Sequence, residues 1–120
     1  MNELEKKVLQ AYKKIINEVG SRGPKNIYVK VKDKRISIYF SLVKSPLEIF
    51  IYDNFEESSK YLMEMHGKIN AILIPQTEEL ISESIEMQVK YSDFQIDIPK
   101  DEYCLILEIT SDPYFKKENE

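Results

Sequence analysis

Aromatic and cationic side chains alternate along one short stretch. In IYVKVKDKRISIY, residues 27–39, Tyr28, Lys30 and Lys32 share one parity, and Arg35 and Tyr39 follow after a two-residue break. Alternate residues of a strand share a face, so this spacing sets tyrosine rings beside ammonium and guanidinium groups. Such a face can stack on flat groups and neutralise an anion. Just upstream, Arg22 and Lys25 flank Gly23-Pro24. Together the two cations could clamp a carboxylate or a phosphate. A structural account of the same loop takes precedence. Gly23 supplies a free backbone angle, Pro24 forces an extended start to a strand, and Arg22 neutralises the carbonyl end of the preceding helix.

The remaining candidates are sparser. Ser92-Asp93 has the composition of a turn, with side chains that bond local backbone; its functional alternative is a polar pocket in which Asp93 meets Arg22. His66 is the only histidine, beside Met65 and Gly67, and a metal would need Glu64, an aspartate or another chain to complete its shell. Glu78, Glu79, Glu83 and Glu86 read as a solvated acidic face, because nothing places a substrate between them. Cys104 is the only cysteine, which excludes an intramolecular disulfide and a cysteine-rich zinc site.

Other function classes are excluded on composition. Three glycines in 120 residues leave little room for a phosphate-cradling or dinucleotide-binding loop. No serine or cysteine nucleophile has a nameable histidine partner. No cofactor and no metal are expected. No run approaches the roughly 18–20 apolar residues of a membrane span, and MNELEKKV does not resemble a signal-peptide core, so a cytoplasmic location is expected. Net charge is −4, unevenly spread. Residues 22–44 set seven cations (Arg22, Lys25, Lys30, Lys32, Lys34, Arg35, Lys44) against Asp33, a local +6 on a remainder of −10. A basic hairpin on an acidic body suits an anion or an acidic partner.

These residues need elements to hold them. Leu4, Val8, Tyr12, Ile15, Ile16 and Val19 recur at three and four, which predicts a helix over about 3–19, stopped at Gly20. The period then falls to two. Ile27, Val29 and Val31 form the apolar side of one strand, Asp33-Lys34 the turn, and Ile36, Ile38, Phe40 and Leu42 the apolar side of the next. SPLEIFIYDN (residues 45–54) carries two signals: Ser45 and Pro46 open a helix, whereas Leu47, Ile49 and Ile51 alternate as in a strand. The helical turn is preferred. Asn54 is expected to cap a further helix with Phe55, Ser58, Leu62, Met65, Ile69, Ile72 and Leu73 on one face. Pro75 is expected to break or kink it, with Thr77, Leu80, Ile81 and Ser84 resuming the pattern. Gly67 is a possible close-packing point. Met87, Val89 and Tyr91 begin a third strand that ends near Ser92-Asp93. Pro99-Lys100-Asp101 turns, and Tyr103, Leu105, Leu107 and Ile109 line a fourth, with Cys104 and Ile106 on its other face.

The order helix, hairpin, helices, hairpin predicts an α+β domain over residues 1–110. It has about four mainly antiparallel strands and helices on one face. Residues 111–120 are expected to be a charged, frayed tail.

The order and the residues together resemble the MpsC-like family, a small bacterial family associated with a sodium-translocating, membrane-potential-generating system. SRGPKNIYVKVKDKRISIYF carries the best local match, followed by SPLEIFIYD, ILIPQTEELI, VKYSDFQID and EYCLILEI. The chain departs from the family pattern at Ser21, usually glycine, and at Tyr91, usually histidine before Ser92-Asp93. QIDIPKDE also stands where a turn with threonine and glycine is usual. The resemblance implies no catalytic residues. At most it implies a cytoplasmic accessory or regulatory subunit. The sheet face of Tyr28, Tyr39, Cys104 and Ile106 is expected to pack against a second copy, and the basic hairpin face of this non-enzymatic domain to dock on a protein partner, as in a membrane complex. Nucleic acid is the alternative partner for the face of Tyr28, Tyr39, Lys30, Lys32 and Arg35, without the signature motif of aromatic RNA-binding sheets. An enzyme using Asp93 and Arg22 ranks last.

Overall fold

Asn2 and Glu5 start the first helix, α1 (Glu3–Val19), with a reciprocal cap: Glu5 N donates to Asn2 Oδ1 (2.8 Å) and Asn2 N to Glu5 Oε1 (2.9 Å). The computed structural model describes residues 1–19 and 24–114. The expected helix stop at Gly20, with Arg22 and Gly23, lies outside the described residues. The elements that follow are β1 (Lys25–Lys32), β2 (Arg35–Ser41), α2 (Pro46–Asn54), α3 (Ser58–Ile85), β3 (Met87–Asp97) and β4 (Glu102–Pro113). The fold is α+β, as the alternation of periods predicts.

Asp33 and Lys34 both take left-handed backbone angles (φ 50° and 67°), the two-residue hairpin geometry whose twist matches that of its strands. The strands form one antiparallel sheet in the order β1-β2-β4-β3, so each hairpin contributes one central strand. α1 and the C-terminal half of α3 cover one face. Val8, Tyr12 and Ile15 of α1 and Ile81 of α3 pack on Val29, Ile36, Ile38, Val89, Leu105 and Leu107, all buried. Burial of this many branched side chains, at about 25 cal/mol per Å² of apolar surface, is the main force holding helix to sheet.

Helix side chains also reach the outer edges of the sheet. Glu5 Oε2 accepts from Val31 N on β1 (2.8 Å). On β3, Ser82 Oγ accepts from Val89 N (2.9 Å) and Glu78 Oε2 from Tyr91 N (2.8 Å). Glu78 therefore departs from the expected solvated acidic face: it serves as a backbone acceptor.

α2 is a helix, which settles the two signals in SPLEIFIYDN. Ser45 is its N-cap, with Glu48 completing a capping box and Pro46 in the first turn. The alternation of Leu47, Ile49 and Ile51 reports no strand; Leu47 and Ile49 are exposed. Asn54 does not cap α3. It ends α2, donating from Nδ2 to Phe50 O (2.9 Å), and Glu57 in a left-handed conformation precedes α3 instead.

Pro75 does not end α3, which runs unbroken for 28 residues. Pro75 and Ala71 are both exposed, so water can replace the donor that proline lacks. The expected face of α3 is also revised. Leu62, Asn70, Thr77, Ile81, Ser82 and Ile85 are buried, whereas Met65 and Ile72 are exposed. A Cβ on Gly67 would meet nothing within 4 Å, so no close approach explains that glycine. The N-terminal half of α3 with α2 extends past the core. The radius of gyration is 15.4 Å, against about 14 Å for a compact chain of this length.

Two strand ends differ from expectation. β3 continues to Asp97, so Ser92-Asp93 lies inside it, where the register against β4 shifts between Tyr91 and Asp93. β4 runs to Pro113, into the segment read as tail. Among the described residues, no helix is long and apolar enough to cross a membrane.

Candidate functional site

The sheet face opposite the helices carries the chemistry that the alternation of β1 and β2 predicts. Successive rows across it, from β1 to β3, are Tyr28, Tyr39, Cys104 and Gln95; Lys30, Ser37, Ile106 and Asp93; and Lys32, Arg35, Glu108 and Lys90. Tyr28 and Tyr39 are directly opposite, and their rings stack at 4.8 Å and 17°. The Lys30 ammonium sits 5.9 Å from the Tyr28 ring centroid. Tyr28 is 44% exposed, and Lys30 and Lys32 are exposed beside it. An aromatic pair with ammonium groups at its edge can receive a flat group and an anion together.

Charge is graded across this face. Lys30 and Lys32 stand at the β1 edge. Arg35 Nε is 3.1 Å from Glu108 Oε1, so its guanidinium is already engaged. Asp93 stands at the β3 side, its Oδ1 accepting from Phe94 N (2.8 Å). The face is thus cationic along β1 and mixed toward β3, where Asp93 and Lys90 both stand, and not uniformly basic.

The sequence-predicted residues divide accordingly. Tyr28, Lys30, Lys32, Arg35 and Tyr39 share the face. Lys25 pairs with Ser41 beyond a register shift that includes Asn26, left-handed at φ 53°. Pro24 is half-buried ahead of β1. Ser92 and Asp93 belong to a strand and not to a loop. Whether Asp93 reaches Arg22 falls outside the described residues. Lys44, counted among the basic segment, is turned inward: its Nζ lies 2.6 Å from Asp101 Oδ1 and 2.8 Å from Ile98 O, and 4.4 Å from the Tyr52 ring centroid.

Cys104 lies next to Tyr39 under this face. Burial pushes its thiol up, the Asp93 charge adds to the rise, and a hydrogen bond with Tyr39 opposes it. The protonated form is favoured, the opposite of a reactive thiolate.

A second cluster, where α2 meets α3 and β4, was missed in the sequence. His66 Nε2 lies 3.0 Å from Glu48 Oε2, and the imidazole packs edge-on to Tyr103 at 5.1 Å. Burial raises the Glu48 carboxyl, but hydrogen bonds with Ser45 and His66 outweigh it and hold the group below the usual carboxylate range. Burial pushes the Tyr103 phenol well up, helped by the charges of Glu48 and Asp101. The partner of His66 is Glu48 on another helix, not the neighbouring Glu64. The spacing Ser45-x-x-Glu48 is a capping-box signature that marks Glu48 as fixed; no local signal pairs it with His66. The cluster joins a carboxylate, an imidazole and a phenol into a structural clasp, with no nucleophile in the set.

Comparison with known proteins gives one family. The model described as "Na+-translocating membrane potential-generating system (MpsC)" matches residues 1–110. No curated protein and no solved structure matches the chain.

Proposed function

The chain belongs to the MpsC family, and from that premise we propose that it is a cytoplasmic accessory component of a membrane ion-transport system, acting by binding and not by catalysis. The family name links it to a sodium-translocating, membrane-potential-generating system. Since none of its described helices suits a membrane span, its part would be played beside membrane-embedded partners. The observation that carries the reading is the sheet face without helices, where Tyr28 and Tyr39 stack beside exposed Lys30 and Lys32. This surface suits an acidic segment of a protein partner bearing an aromatic or other flat side chain, with the β1 edge supplying the positive charge. Self-association belongs to the same reading.

The test is affinity capture from detergent-solubilised membranes of the native cell, with the wild-type chain and the K30E/K32E double variant as baits. Transport-system subunits are expected with the wild type and should be lost with the variant. Equal recovery on both baits would refute a role for this face. A second reading, single-stranded nucleic acid, has the tyrosine stack in its favour and the carboxylates of Asp93 and Glu108 on the same face against it. Binding of a labelled oligonucleotide that falls steeply with rising salt would favour that reading instead.

A further inference from the structure

Of the eleven large apolar side chains exposed among the described residues, nine lie between Val43 and Ile72. Seven of these lie on α2 and α3 and Phe55 on the link between them, with Val43 just before α2, and exposed apolar surface of that kind marks an interaction site. On α3 three of the four exposed large apolar residues, with Lys68, form an ordered stripe. Tyr61, Met65, Lys68 and Ile72 are spaced four, three and four, the seam spacing of a helix that packs against another helix. All four are exposed, Ile72 at 78%. The residues this half of α3 buries, Leu62 and Asn70, lie off the stripe, so the stripe is not what holds α3 to its own chain.

We propose that α3 is a self-association helix, in which two copies of this chain pair antiparallel through the stripe, about a two-fold axis beside His66 and Gly67. The spacing four, three, four reads the same in both directions. An antiparallel pair therefore sets Tyr61 against the partner's Ile72 and Met65 against the partner's Lys68, with every contact repeated by symmetry. The flanking charges are self-complementary. Glu64 lies next to Lys68 on the helix surface, and neither makes an ion pair within the described chain. Across the axis, Glu64 falls within one residue rise, about 1.5 Å along the helix, of the partner's Lys68. The same two-fold gives the reciprocal pair. A lipid surface is a poorer occupant, because residues 45–74 hold five carboxylates against Lys60 and Lys68, a net −3 that anionic headgroups repel. The proposal deepens the self-association named above and rests on it. It uses a surface separate from the sheet face, so the two can fail separately.

Sedimentation equilibrium of the purified chain tests it, with far-UV circular dichroism to establish that each variant is folded. The wild type is expected to show a monomer–dimer equilibrium, and I72E to weaken it at least about tenfold. E64K and K68E should each weaken it by like-charge repulsion, and an equimolar mixture of the two should associate more tightly than either alone. K30E/K32E should leave the dimer intact, whatever it does to capture of transport subunits. A monomer at every concentration would overturn the proposal, as would a dimer indifferent to I72E. A mixture no tighter than its components, or a monomer that binds phosphatidylcholine vesicles through the stripe, would also overturn it.

Discussion

The imidazole of His66 stands 3.0 Å from the Glu48 carboxylate, so one half-buried contact ties the short helix α2 to the long helix α3. No residue of α2 is itself buried. The docking of that helix draws on this pair, on Ser58 Oγ of α3 donating to Tyr52 O (2.9 Å), on the Ser45 cap and on Lys44. A carboxyl held below its ordinary value stabilises the fold above its unfolded pKa of about 4.3 and loses that contribution as pH falls through the lowered, folded value. The E48Q variant should be less stable than the wild type by about 1 kcal/mol at neutral pH. The gap should close in acid, where both chains lack the charge. Thermal midpoints across the acid range check this; a gap that persists at low pH would count against it.

Ser82 is fully buried, and its hydroxyl accepts from Val89 N at 2.9 Å. Replacement by alanine leaves that amide without a partner at the junction of α3 and β3. The S82A chain should lose about 1–3 kcal/mol, read from urea midpoints. A neutral result would mean that water enters the site.

Gly67 shows the reverse case. It lies inside α3, and a methyl group there would meet no atom within 4 Å. G67A should stabilise the chain by about 0.5–1 kcal/mol, since alanine is the better helix former and no contact is spoiled. A destabilised variant would reveal a packing demand at this position that a single chain does not impose.

Cys104 is buried under Tyr39, and its thiol is pushed up by that burial and by Asp93. Iodoacetamide should modify it at least about tenfold more slowly than an unhindered cysteine at neutral pH. The Y39A variant should raise the rate by uncovering the sulfur. Fast labelling of the wild type would mean that the sheet face opens in solution.

The hairpin of β1 and β2 was legible because alternation and a two-residue turn are local signals. The stripe of α1 was legible for the same reason. α3 was harder. Met65 and Ile72 repeat at helical spacing as a core face does, yet they are exposed; periodicity records an apolar stripe and not what covers it. Ser92 and Asp93 have turn chemistry, but Asp93 spends its side chain on the next amide within a strand. Glu48 and His66 are 18 residues apart, and Lys44 and Asp101 are 57 apart. Such pairs follow from how helices and hairpins dock, which no short window of sequence encodes. The shared face of Tyr28, Lys30, Lys32, Arg35 and Tyr39 was readable because it needs only parity and one turn.

The helix side chains on the outer amides of β1 and β3 have a consequence for assembly. Free strand edges invite another strand to add on by backbone hydrogen bonding. Here the amides of Val31, Val89 and Tyr91 are already taken by Glu5, Ser82 and Glu78. A strand that adds on at those edges finds these three donors already engaged. Backbone pairing is blunted there, and side chains, which differ from protein to protein, carry more of the selection.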